Sequence, residues 1–377
     1  MEVVAMILVL SLYQWIYVNL SKQILHNMLF LLTTGFIMLT RLSYDKAVKQ
    51  FIIASAALAL CLIIPLLIDK LKYLSKLGWL YGILGIALLL SVLFWGVENY
   101  GATNWLQIGG ITFQPSEFVK ILFVFCIAAL LSQRTDFRHI ISVTALAALH
   151  VIILVLEKDL GGALIFFITY LVMLFVATSQ PLYFFSGLLA GCAASYLAYR
   201  QFNHVRVRVM VWRDPWSYID NEGYQVSQSL FAIGTGGWFG MGLFKGLPTS
   251  IPVVDSDFIF SAISEEMGGL FAVCMILVCI GTFVMFINIA MKLNNTFYKL
   301  IALGLSINYI FQVFLSVGGA IKFIPSTGVT LPLISYGGSS VLSSIIMFSV
   351  IQGLYVLGQD RNDKIEKRKR KNKKETE

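Results

Sequence analysis

RVRVMVWRDPWSYIDNEGYQVSQSLFAIGTGGWFGMGLFKGLPTSIPVVDSDFIFSAISEE, residues 206–266, is the one long stretch of this chain that does not read as membrane span and short connector. It mixes arginines, carboxylates, glycines and tryptophans over far more residues than a link between two helices needs. A basic cluster (Arg206, Arg208, Arg213) precedes an acidic one (Asp255, Asp257, Glu265, Glu266). Cations of this kind hold phosphate or pyrophosphate. A carboxylate can take a proton from a hydroxyl. Together they point to chemistry on a lipid-linked phosphate at one membrane face.

The rest of the chain supports that setting. Of 377 residues, 58% are hydrophobic and 13% charged, with mean hydropathy +0.80. Soluble domains carry roughly a quarter charged residues, so the class is an all-α polytopic membrane protein. Eleven apolar segments are expected, at about 3–20, 24–40, 47–68, 77–97, 116–132, 140–156, 161–178, 181–199, 261–291, 298–318 and 331–357. The first is diluted by Ser11, Gln14 and Asn19. The expected division is an N-terminal transmembrane segment at 1–23, a membrane domain at 24–358 with its loop at 200–260, and a basic, disordered tail at 359–377.

Net charge is +8, and most of it lies in the tail RNDKIEKRKRKNKK at 361–374. Such a block near anionic lipid reads as a cytoplasmic topology signal, not a nucleic-acid module. Placing it inside also places Lys292 with Lys299, Arg134 with Arg138, and Lys70, Lys72 and Lys76 inside. The loops at 98–115, 157–160, 200–260 and 319–330 then lie outside. Arg41, Lys46 and Lys49 fall outside too, against the rule. The five cysteines form no CxxC pair and the four histidines no metal spacing, so free thiols are expected.

Each outer connection carries unusual residues. Glu117 and Lys120, three apart after Pro115, share a helix face, and charge in a bilayer costs enough to imply a bundle or cavity role. Asp159 occupies an N-cap position. Trp105 is either an interfacial anchor or a platform for a sugar. Pro325, Gly328, Pro332, Gly337 and Gly338 break helix at membrane depth, which is tolerated only against protein or water.

Five motifs in order resemble the SEDS family of elongation, division and sporulation proteins (RodA, FtsW and SpoVE). They are FQPSEFVK (113–120), KDLGGAL (158–164), GYQVSQSLFAIGTGG (223–237), DFIFSAISEEMG (257–268) and TGVTLPLISYGGSS (327–340). The resemblance implies a bundle of ten family helices, here with one added at the front, and a large extracytoplasmic loop before the third-from-last helix. It implies a peptidoglycan glycosyltransferase that polymerises lipid II outside the bacterial cytoplasmic membrane. It also implies a class B penicillin-binding transpeptidase as partner. By motif position, the catalytic aspartate is Asp257 and the loop arginine Arg208. Trp105, Glu117, Lys120 and Ser339 join the substrate-binding set.

The family's Pro-Glu-x-His-Thr-Asp is Pro252-Val253-Val254-Asp255-Ser256-Asp257 here, an asparagine is Ser316, and a glycine is Lys322. Arg206, Lys245 and Lys322 are further candidates for pyrophosphate. In extended backbone Asp255 and Asp257 share one face about 7 Å apart. They would raise one another's pKa or share a divalent cation, Mg or Mn, as its candidate ligands; no cofactor is fixed by the sequence. The rival readings are a flippase for a lipid-linked precursor and a non-catalytic scaffold for the transpeptidase.

Overall fold

The computed structural model describes residues 2–68, 75–99, 102–109 and 111–376. Lys70 and Lys72 of the topology argument lie outside them. Among the described residues, ten helices are long and apolar enough to cross a bilayer. They are α2 (Lys22–Leu42), α3 (Tyr44–Leu67), α4 (Ser75–Trp95), α5 (Pro115–Gln133), α6 (Phe137–Leu156), α7 (Leu160–Thr178), α8 (Pro181–Gln201), α11 (Ile259–Lys292), α12 (Thr296–Ala320) and α13 (Gly338–Thr376), whose apolar part ends at Arg361. The large loop before α11 contributes two shorter helices, α9 (Asn203–Arg213) and α10 (Tyr224–Gly236).

Local sequence explains many of the ends. Pro115 opens α5, where its fixed φ suits a first turn and its missing N–H costs nothing. Side chains of Asp136, Asp159 and Asn295 accept first-turn amides of α6, α7 and α12. Helices α5 and α12 form the most buried part of the bundle, whereas α8 has no buried residue.

Three expectations change. The first segment forms α1, Glu2–Ile16, about 22 Å at 1.5 Å per residue and short of the roughly 30 Å of hydrocarbon. It ends before Asn19, whose amide donates to Asp360 at 2.9 Å. The tail, expected to be disordered, continues α13 as helix to Thr376; its Lys, Arg and Glu are good helix formers. Between α4 and α5 the all-α reading missed three short antiparallel strands, β1 (Val97–Asn99), β2 (Ala102–Ile108) and β3 (Ile111–Phe113). Trp105 sits on β2 opposite Val97.

Irregular backbone is held by side chains and by glycine contacts. The connection into α13 crosses α2 at Gly35, where a Cβ would meet the Ile334 carbonyl oxygen at 2.6 Å. Buried Gln50 of α3 donates to the Ser335 carbonyl and accepts from the Gly337 amide, both at 2.9 Å. Helix α11 breaks at Gly268 (φ 90°, ψ 161°). There the loop after α10 supplies the lost partners: Met241 and Gly242 amides donate to the Glu265 and Glu266 carbonyls, and Gly269 and Leu270 amides to those of Gly237 and Trp238.

A Cβ at Gly268 would lie 2.4 Å from the Gly240 nitrogen, with a φ that L residues avoid. Gly268→Ala should therefore lower the melting temperature of the purified protein, with at least about 1–2 kcal/mol lost from the left-handed backbone alone. Gly234→Ala, in open space, should leave it level or raise it. Equal melting of both variants would show that the break carries no such constraint.

Candidate functional site at the loop face

Helix α9 lies at the loop face and turns Arg208 toward the bundle. Its Nη1 donates to the Thr327 carbonyl at 3.1 Å. The next residue, Gly328, has φ +72°. A Cβ built there would sit 3.5 Å from Asp257 Oδ2 and 3.9 Å from Arg208 Nη2. Gly328 thus leaves open the gap between the carboxylate and the guanidinium.

Asp257 does not follow an extended segment. Val253 has φ +56°, and its carbonyl accepts from the Ser256 and Asp257 amides. This tight turn, entered through Pro252, replaces the strand-like geometry expected for Asp255 and Asp257. The Ser335 hydroxyl donates to the Ser256 carbonyl, and the Tyr336 amide to that of Asp255 at 2.7 Å. The turn is thereby fixed to the connection that carries Gly328.

Burial pushes the Asp257 carboxyl above the usual range; the Ser256 hydroxyl, 2.9 Å away, and Arg208 oppose the shift, and Asp255 adds to it. Burial also raises Asp159, against the Gly162 amide at 2.8 Å, with Glu117 adding to the rise. The Ser116 hydroxyl and Arg208 pull Asp159 down. Arg208 is itself lowered by burial and held up by Asp159 and Asp257. One guanidinium therefore compensates two desolvated carboxylates.

Below them, Lys120 is 3% exposed and donates to Glu117 at 2.6 Å and Gln312 at 2.7 Å. The Ser343 hydroxyl donates to Glu117 at 2.7 Å. Glu117, Lys120 and Asp159 line a cleft of about 30 Å³ with Gln114, Gly328 and Thr330. Gln114 presents its amide to the Ser339 hydroxyl at 3.0 Å.

The sequence model of the FtsW/RodA/SpoVE cell cycle proteins matches residues 22–357. The chain belongs to this family. The peptidoglycan glycosyltransferase RodA of Mycobacterium leprae is 34% identical over 326 residues, 82% of this chain and 70% of that protein. The corresponding RodA of Mycobacterium bovis is 37% identical over 317 residues, 78% of this chain and 66% of its own length. A probable peptidoglycan glycosyltransferase FtsW of Shewanella sediminis is 30% identical over 344 residues, covering 85% and 83%. Among solved structures, a chain of a peptidoglycan synthase complex superposes with TM-score 0.74 at 26% identity, covering 91% of this chain and 98% of that one. Thermus thermophilus RodA, at 23% identity and TM-score 0.66, covers 89% and 96% and shares the fold. The protein is a multi-pass membrane protein of a bacterial family.

Within this FtsW/RodA/SpoVE fold, Asp257 and Arg208 come together, as do Glu117 and Lys120. Other sequence candidates lie elsewhere. Arg206 is exposed and donates to the Arg200 carbonyl at 2.9 Å, because two residues on a helix put it on the far side from Arg208. Lys245 is exposed in the glycine-rich loop. Lys322 lies by Trp212, whose indole donates to its carbonyl at 3.2 Å. Trp105 does not line the cleft.

The acidic cluster is largely paired off. Lys46 meets Asp255 at 2.5 Å and Arg41 meets Glu266 at 3.0 Å; Glu265 accepts the Leu247 amide at 2.9 Å. Those pairs account for two of the three cations that broke the topology rule, Arg41 and Lys46, which answer carboxylates on their own face. Asp255 held by Lys46 does not fit a two-carboxylate metal site with Asp257. Among the described residues no group of three or more His, Cys, Asp or Glu converges as a metal site.

Sequence reasoning gave Asp159 only a capping role and passed over Gln312, Ser343 and Glu157. Only the KDLGG motif pointed at the first; the others depend on distant segments meeting. Glu157 is 1% exposed, and neither carboxyl oxygen has a hydrogen-bond partner among the described residues. Burial, helped by Asp159, pushes it up to about 9.

The fold therefore binds a proton at Glu157 that the unfolded chain releases near pH 4.5. Between these values stability falls as pH rises, by up to about 1.4 kcal/mol per pH unit. Thermal melts of the wild type should drop from pH 5 to pH 8, and Glu157→Gln should flatten that slope. An identical slope in the variant would place the titration elsewhere.

Proposed function

We propose that this protein is an inverting peptidoglycan glycosyltransferase that polymerises lipid II, with the loop face extracytoplasmic and the C-terminus cytoplasmic. The observation that carries the reading is the Asp257–Gly328–Arg208 arrangement. A base and a cation face one gap at the edge of a membrane bundle, and the residue that approaches both is a glycine.

Chemistry follows from the two groups. The 4-hydroxyl of one lipid-linked saccharide attacks the anomeric carbon of another. Asp257 takes the hydroxyl proton as the new glycosidic bond forms. The bond from the anomeric carbon to the lipid pyrophosphate breaks, and the pyrophosphate leaves with the electron pair. Arg208 offers a planar, bidentate donor to its growing negative charge. Direct displacement needs no second nucleophile and inverts the anomeric centre. An exposed aspartate, with pKa near 3.9, is a weak base at neutral pH; desolvation of Asp257 makes it a stronger one.

Glu117, Lys120, Gln312 and Ser343 satisfy one another inside the bundle. That arrangement suits a rigid floor under the site better than the hopping path of a flippase. The cleft of about 30 Å³ is far below the roughly 300–1,000 Å³ of small-molecule pockets. The saccharides are therefore bound above it, at the membrane face. We also infer a class B penicillin-binding transpeptidase as partner, since one solved relative is a chain of a peptidoglycan synthase complex.

Purified protein given lipid II should yield glycan polymer. Asp257→Asn should cut the rate by about 10²–10⁴-fold while lipid II still binds. Arg208→Ala should weaken turnover, and Arg208→Lys should restore it only in part, because an ammonium lacks the planar fork. Full polymerisation by Asp257→Asn would overturn the assignment. Absence of polymer from the wild type, alone and with the transpeptidase, would favour the flippase or scaffold reading.

A further inference from the structure

Helix α9 has a second side that the mechanism above does not use. At roughly 100° per residue, Val209, Met210 and Arg213 turn away from Arg208. They face a depression of about 270 Å³, closed by Tyr199 at the end of α8 and by Asp214, Ser217 and Tyr218 after α9. Its volume approaches that of small-molecule pockets, nine times the cleft below Asp257.

The lining has a definite chemistry. Tyr199 and Tyr218 are half-buried, so each offers part of a ring face and a hydroxyl. Arg213 is exposed, and none of the ion pairs among the described residues involves it. Asp214 accepts the Ser217 hydroxyl at 2.6 Å and the Ser217 amide at 3.3 Å. Those bonds, with a smaller pull from Lys322, hold its carboxyl below the usual range. The pocket thus presents aromatic walls, an anionic acceptor and a cationic donor fork.

Sugars match that set. Pyranose rings have apolar C–H faces for aromatic walls and hydroxyls that both donate and accept. A phosphate headgroup would welcome Arg213 but be repelled by Asp214. Arg208 and Arg213 are five residues apart on one helix, about 7.5 Å along its axis and roughly 140° around it, so the pocket lies across α9 from the proposed reaction centre.

We propose that the Tyr199–Arg213–Tyr218 pocket is a saccharide subsite that holds a sugar ring of the glycan strand across α9 from the unit being joined. The strand as occupant rests on the polymerase reading; the capacity to bind a saccharide does not. Bound there, the strand stays at the site between additions, and the pocket sets how long it grows before release.

Two measurements on the full chain in lipid nanodiscs test this. Saturation-transfer NMR with a lipid-free peptidoglycan oligosaccharide reads binding without catalysis. Sugar-ring protons should receive saturation from the wild type and from Asp257→Asn. Binding should weaken about two- to tenfold in Tyr199→Ala, Tyr218→Ala or Arg213→Ala, the range for losing one ring contact or charged donor. Tyr199→Phe and Tyr218→Phe keep the ring and should bind as the wild type does, which separates contact from misfolding.

In polymerisation with lipid II, the three alanine variants should make shorter strands, and the phenylalanine variants strands of wild-type length. No saturation transfer to the wild type, equal binding by the alanine variants, or displacement of the sugar by phosphatidylglycerol would overturn the subsite. Oligosaccharide binding without any polymer from the wild type would instead fail the polymerase reading and leave the subsite standing.

Discussion

A half-buried arginine beside one buried and one half-buried carboxylate is the interaction around which the loop face is arranged. Arg208 comes from the amphipathic helix α9, Asp159 from the cap of α7 and Asp257 from the turn before α11. None of the three would be stable there alone, because removing a charge from water costs several kcal/mol unless another charge or hydrogen bond offsets it. Together they leave one formal negative charge in excess. In the proposed reaction that excess would let a desolvated Asp257 act as a base, and a pyrophosphate brought to Arg208 would compete for its cation during the same step.

The bundle supplies rigidity to this arrangement through irregular backbone. Gly328 can stand between Asp257 and Arg208 because Gln50 and Gly35 fix the rest of its connection against α3 and α2. The turn bearing Asp257 is bonded to that connection through Ser335 and Tyr336. On the other side, the break at Gly268 lets α11 begin above the bilayer span and still satisfy its carbonyls through the glycine-rich loop. Lys46 and Arg41 neutralise Asp255 and Glu266, so Asp257 is the loop acid left facing the gap.

Much of this was legible in the sequence. Hydropathy gave eleven spans; ten are long enough among the described residues, and the first forms only the shorter α1. Motif order gave Asp257, Arg208, Glu117 and Lys120. What sequence could not give was the pairing of distant charges: Lys46 and Asp255 are 209 residues apart. Without that partner, Asp255 read as either a metal ligand or a like charge raising Asp257, and only the second is kept. The cations Arg206, Lys245 and Lys322 were grouped with Arg208 by composition, yet helix phase and loop path send them elsewhere. The strands around Trp105 were too short for a period to show. The helical continuation of the tail was hidden by its charge, which resembles disorder although its residues favour helix.

The pH dependence of glycan synthesis tests the central claim most directly. Lipid II polymerisation would be measured at saturating substrate from pH 4 to pH 9. A desolvated Asp257 must lose its proton before it can act, so the rate should climb with pH along an acid limb displaced above the ordinary aspartate value of about 3.9. The residual rate of Asp257→Asn should lack that limb. An acid limb at the ordinary aspartate value, or one that persists unchanged in Asp257→Asn, would contradict the account.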